Sequence, residues 1–275
     1  MKLIWANILM PWHNLTEEQR TKMRIIALCV GVWVLWQVPG MGHVMRRSFT
    51  HDPLSGRRYT LLTSTISHQD FFHGALNGVA FASFALPVMA LLDRDDLARG
   101  GPGRVQVTPV YEFAALLVAA GLASGLASHV WSTRVLLPRA VRALGDKAPT
   151  LRSASAAQGA LETHAIAPSL GISGAIYALV TLVALGSPSA EVSIIFLPFF
   201  SFPIAWGFGG FLCLDAVGLI RGWRAFDHAA HLGGAAFGAA WHFWGGAAWQ
   251  AMRSRFRKDK QERAAQPPVN SFARN

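Results

Sequence analysis

Six stretches of the chain are apolar for long enough to cross a lipid bilayer: roughly 23–38, 72–92, 107–130, 170–185, 192–220 and 228–249. A backbone inside hydrocarbon must satisfy its own N–H and C=O groups, which leaves helices as the spanning element for runs of this kind. The first and fourth runs lie near the lower limit of about 17 residues and must extend into their flanks. The fifth contains Pro198 and Pro203, which predicts a kink or a re-entrant start. The expected fold is therefore an all-α membrane protein, a six-transmembrane-helix bundle. Repeated Gly, Ala and Ser inside the runs suit close helix packing.

Composition agrees, with 52% hydrophobic and only 15% charged residues. The formal charge of +10 raises the question of nucleic acid. The basic residues, however, sit in tails and connections and are not interleaved with aromatics on one face, so nucleic acid is excluded and anionic lipid headgroups are the expected contact. Lys and Arg divide almost evenly between the two sides, so the positive-inside rule sets no orientation. Cys29 and Cys213 lie in apolar runs far from CxxC spacing and read as packing residues.

The predicted organisation is an N-terminal polar or interfacial segment (1–22), a six-helix membrane domain (23–249) with a flexible insertion at about 132–168, and a basic C-terminal tail (250–275). The start lacks the features of a cleaved secretory signal or an arginine-rich transit peptide. An organellar address is expected to be missing or to lie upstream of Met1. The connection of about 30 residues after the first span is too long for a simple turn and is expected to be structured or functional.

Polar groups at membrane depth are costly, which singles out a few candidates. Ser173 stands in "GISG", and a serine hydroxyl needs a base and an oxyanion stabiliser before it attacks a carbonyl. His228 and His231 open the last span in "FDHAAHLGG", one turn apart. Gly234 and Gly238 behind them form a GxxxG that permits close approach of another backbone. His73 and Asn77, four apart, share a helical face and offer donors to a developing oxyanion. Each has a blander reading: small residues for packing, an interhelical hydrogen bond for Asn77, an interfacial place for His73 or His228. His68 reads as structural. A metal at His228, His231 and Asp227 lacks a supporting HExxH or carboxylate-rich helix, so neither metal nor cofactor is expected.

The ordered set "TSTISHQDFFHGALN", "GISGAIY" and "AHLGGAAFG" resembles the rhomboid intramembrane serine proteases, with HxxxN, GxSG and AHxxG on successive membrane helices. The stretch from "IIFLPFF" to "FDHAAHLGG" is similar to the mitochondrial, presenilin-associated rhomboid-like branch. The resemblance spans roughly 19–249. It implies that Ser173 is the nucleophile, His231 its base, and His73 and Asn77 the oxyanion donors. It further implies that Tyr177 packs on the histidine ring and that Gly171, Gly174 and Gly234 permit close approach around the site. His228 matches a histidine of the mitochondrial branch that is not the base. A two-residue dyad is implied, with Asp215 and Asp227 the carboxylates to consider for a third place. The partners implied are transmembrane protein substrates and the bilayer, and the location a mitochondrial inner membrane. Members of that branch carry a targeting segment and an extra helix before the core, so the chain is expected to be a short or N-terminally incomplete form. The competing readings are a catalytically inactive rhomboid-like protein that binds transmembrane helices and, less well supported, a transporter.

Overall fold

The computed structural model describes residues 10–99, 108–145, 166–194 and 197–265. Each of the six apolar runs yields a helix. The first is α1 (Glu17–Gln37), started by a capping box in which Thr16 accepts from the Gln19 N–H and Gln19 reaches back to the Thr16 N–H. In the connection that follows lie α2 (Gly42–Phe49), a helical turn (Thr60–Thr63) and a 3-10 turn (Ser64–Ile66). Next come α3 (Phe71–Arg99) and α4 (Val110–Trp131). A π-turn (Ser132–Leu136) carries α4 on into α5 (Leu137–Gly145).

The later elements are α6 (Ser173–Gly186), β1 (Glu191–Ile194), β2 (Leu197–Pro203), α7 (Ile204–Arg221) and α8 (His228–Ala240). A second π-turn (Trp241–Gly245) joins α8 to α9 (Gly246–Ala265). By length and composition, 71–98, 110–142 and 204–221 are each long and apolar enough to cross a membrane.

The fifth run departs from expectation. Its first part is an antiparallel β-hairpin, β1 on β2, with an irregular register between Ser193 and Ile194, and the helix starts only after Pro203. Proline lacks the N–H that a helix interior needs, and it fits the position ahead of a first turn. Two prolines in this segment therefore favour extended backbone over a kinked helix. The segment predicted as a flexible insertion is helical as far as Gly145, and its next residues lie outside those described. The basic tail continues α9 to Ala265, anchored where Arg253 and Gln250 meet Asp96 of α3.

α6 is the central helix. It packs on α3, α4, α7 and α8, and Ala175, Ala178 and Leu179 are buried in a core with Phe81, Met89, Phe113 and Leu116. Small residues make this possible. A Cβ on Gly174 would stand 1.7 Å from Ser124 Oγ, and one on Gly238 would stand 2.5 Å from the Ala178 carbonyl oxygen. α7 lies at the periphery, with Trp206, Phe211 and Ile220 exposed toward what would be lipid. Cys213 shares that exposed surface, so it is no packing residue, while Cys29 is half-buried.

Candidate active site

Ser173 is the first residue of α6, where the N–H groups of a helix have no intrahelical partner and the macrodipole is positive. The segment leading into it is held by the connection between α1 and α3. His51 and Ser169 exchange two backbone hydrogen bonds of 2.8 and 3.0 Å, and the Gly171 N–H donates to the Ser64 carbonyl at 2.9 Å. The Ile172 N–H donates to His68 Nε2 at 3.4 Å. Handles at Ser169, Gly171 and Ile172 thus fix the approach to Ser173, which is the structural work of that long connection. Gly171 adopts φ +121°, and a Cβ there would stand 3.0 Å from His73 Cε1, so both conformation and space require glycine.

Burial, and secondarily the neighbouring His73, push the His68 imidazole down to about 4, so Nε2 stays an acceptor at neutral pH. Since His68 binds a proton more readily when unfolded, stability is lost as pH falls from about 6.5 toward 4. As pH falls across that window the unfolding temperature should therefore drop more steeply for the parent chain than for His68→Gln, whose amide oxygen accepts from Ile172 without titrating.

On α8, the Asp227 carboxylate forms the N-cap, accepting from the Ala230 N–H at 3.0 Å and from Ser128 Oγ of α4 at 2.6 Å. Asp227 is thus occupied in capping and tethering the helix. α8 then lies flat on α6: a Cβ on Gly234 would stand 1.9 Å from the Gly174 carbonyl oxygen. That contact brings His231 Nε2 to 2.9 Å from Ser173 Oγ. The ring of Tyr177, one turn along α6, stacks on His231 with centroids 4.3 Å apart and 12° between planes.

His231 Nδ1 faces Asp215 Oδ1 of α7 at 3.1 Å, and the Tyr177 hydroxyl donates to Asp215 Oδ2 at 2.5 Å. His228 Nδ1 meets the same Asp215 Oδ1 at 2.5 Å. Asp215 is 3% exposed, and His228 and His231 are buried beside it at 4% and 7%. The sequence offered Asp215 only as one of two carboxylates to consider. Its place follows from α7 packing on α8, which spacing does not reveal.

The other predicted residues divide. His73 borders the site through its contact with Gly171, and its ring also meets His68 with centroids 5.2 Å apart. Asn77 spends one amide N–H on its own helix, donating to the His73 carbonyl at 2.9 Å. Among the described residues no group of three or more His, Cys, Asp or Glu side chains is arranged to hold a metal ion.

These features define a polytopic membrane protein in which a serine and a histidine from two glycine-packed helices meet inside the bundle. Residues 55–247 match the family model described as the Rhomboid domain. The chain is 33% identical over 228 residues to the human presenilin-associated rhomboid-like protein, mitochondrial, covering 82% of this chain and 48% of that protein. The bovine protein of the same description is equally similar, with 82% and 49% covered. Rhomboid protein 1, mitochondrial, of Saccharomyces cerevisiae is 23% identical over 245 residues, with 87% and 57% covered. The chain belongs to the rhomboid family, its apolar helices make it a membrane protein, and the presenilin-associated and yeast relatives it matches are mitochondrial. It spans about half the length of the presenilin-associated relatives it matches.

Proposed function

We propose that the chain is an intramembrane serine endopeptidase that cleaves transmembrane segments of other proteins with Ser173 as nucleophile and His231 as base. The observation that carries this reading is the 2.9 Å approach of His231 Nε2 to Ser173 Oγ at the start of α6. Ser173 Oγ attacks the scissile carbonyl carbon while its proton passes to Nε2. The oxyanion forms against the first N–H groups of α6, with His73, which borders Gly171, and Asn77 of the same helix face as the side-chain donors. On collapse the C–N bond breaks and His231 returns the proton to the departing amine. Water then attacks the acyl-enzyme, giving up a proton to His231, and the carboxyl product leaves with Ser173 restored.

The substrate class follows from the location. A folded helix hides its carbonyls in hydrogen bonds, so the scissile segment must carry residues that weaken a helix within the bilayer. The membrane domain assigned to this work is 23–249, in a mitochondrial inner membrane. The similar proteins named for association with presenilin make a membrane protein the natural class of partner.

Full-length chain purified in detergent should cleave a single-pass transmembrane reporter into two fragments. Binding of the reporter with no fragments would support an inactive helix-binding member of the family. Tyr177→Phe keeps the ring on His231 and removes the donor to Asp215, so the cleavage rate should fall about 10-fold, the cost of one hydrogen bond of about 1.5 kcal/mol. Tyr177→Ala, which removes the stacked face as well, should fall further.

A further inference from the structure

Four polar groups converge on one point in the bundle, and serine and base account for only part of the arrangement. His231, His228 and Tyr177 all address Asp215, a carboxylate buried mid-way along α7. A lone buried carboxylate is expensive, and this one is compensated by three donors. We propose that Asp215 is a positioning residue for the hydrolysis: it fixes the His231 tautomer directly and the His231 ring plane through Tyr177, with His228 holding the carboxylate in place. The proposal deepens the serine-protease reading and rests on it for its kinetic consequence.

The donors and acceptors decide the tautomer. An ionised carboxylate only accepts, so the 3.1 Å contact from His231 places the ring proton on Nδ1 and leaves the Nε2 lone pair facing Ser173 Oγ, 2.9 Å away. The opposite tautomer would point N–H at Ser173 and could not take its proton. When His231 becomes an imidazolium during attack, the carboxylate already stands on its far side. Asp215 Oδ2 meanwhile binds the hydroxyl of the ring stacked on His231, so one carboxylate sets both the protonation pattern and the orientation.

His228 obeys the same logic. Its Nδ1 donates to Asp215 Oδ1, while its buried Nε2 has no partner. A buried lone pair without a partner costs less than a buried N–H without one, so the His228 proton also resides on Nδ1. The ring fits because Gly218, one turn beyond Asp215, is bare: a Cβ there would stand 2.4 Å from His228 Nε2. The His228 hydrogen bond goes to Asp215, which it keeps from turning away from His231, and the ring faces Trp223 and Phe226.

Two measurements test this. Asp215→Asn preserves shape but offers His231 a mixed donor and acceptor, so kcat for reporter cleavage should fall about 10²- to 10⁴-fold with KM unchanged. A kcat within about threefold of the parent overturns the proposal. The second needs no activity. In the unmutated protein labelled with ¹⁵N-histidine, the His231 signals, identified by their loss in His231→Gln, should report protonation at Nδ1, with a proton shifted far downfield. Protonation at Nε2 overturns the proposal even if Asp215→Asn does not fold. A parent chain that cleaves nothing yet shows the Nδ1 tautomer would sink the protease reading and leave the positioning geometry standing.

Discussion

Ser173→Ala should lower cleavage of a transmembrane reporter by at least about 10⁴-fold, and His231→Ala should match it. Both follow from the 2.9 Å contact between Oγ and Nε2, which only makes chemical sense as a pair. Without the hydroxyl there is no acyl-enzyme. Without the imidazole the hydroxyl keeps its proton and attacks poorly at neutral pH. Because the two act as one unit, Ser173→Ala/His231→Ala should be no slower than either single variant. Additive losses in the double variant would mean that serine and histidine work separately. The measurement is the initial rate of fragment formation by purified protein, with reporter binding followed in parallel to show that the variants remain folded.

The second large effect comes from a residue with no side chain. Gly234→Ala places a methyl 1.9 Å from the carbonyl oxygen of Gly174, a backbone atom that cannot rotate aside. The two helices must separate by about 1 Å or more, and the hydrogen bond between His231 and Ser173 opens with them. A misplacement of this size costs about 10²-fold in rate, and the overpacking should cost on the order of 1–3 kcal/mol of stability. Gly209→Ala is the control: nothing lies within 4 Å of the added methyl on α7, so rate and melting temperature should stay close to the parent. Equal losses in the two variants would show that the effect is general helix damage and not the loss of close approach.

How far the sequence reached depends on the kind of interaction. Bilayer length and apolarity are local properties, so all six helices were legible in outline. The hairpin ahead of α7 was misread because β1, β2 and α7 form one apolar run. Apolarity marks burial or lipid but does not separate strand from helix, and Pro203 sets the boundary. The long connection between α1 and α3 was legible as structured by its length alone. Its role was not, since the backbone pairing of His51 with Ser169 joins residues far apart in sequence.

At the site, Ser173, His231 and Tyr177 could be named because each lies in a short motif on one helix. Asp215 belongs to no such motif. It sits in "FLCLDAVGLI", where a single acid in an apolar helix signals an unknown buried partner and nothing more. Only the packing of α7 on α8 supplies that partner, and it supplies His228 and His231 together. Asp227, as close to His231 in sequence as any acid, proves to be a helix cap. Proximity in sequence could not choose between the two carboxylates, and the nearer one is consumed as the N-cap of its own helix.

The proposed reaction turns on Ser173 being made a reactive nucleophile by His231 inside the bundle. Its most direct test is to expose the full chain in detergent to a fluorophosphonate and map the adduct by mass spectrometry. One stable adduct is expected, on the Ser173 hydroxyl, and none in His231→Ala. No adduct at Ser173, or labelling at an equal rate without His231, would contradict it.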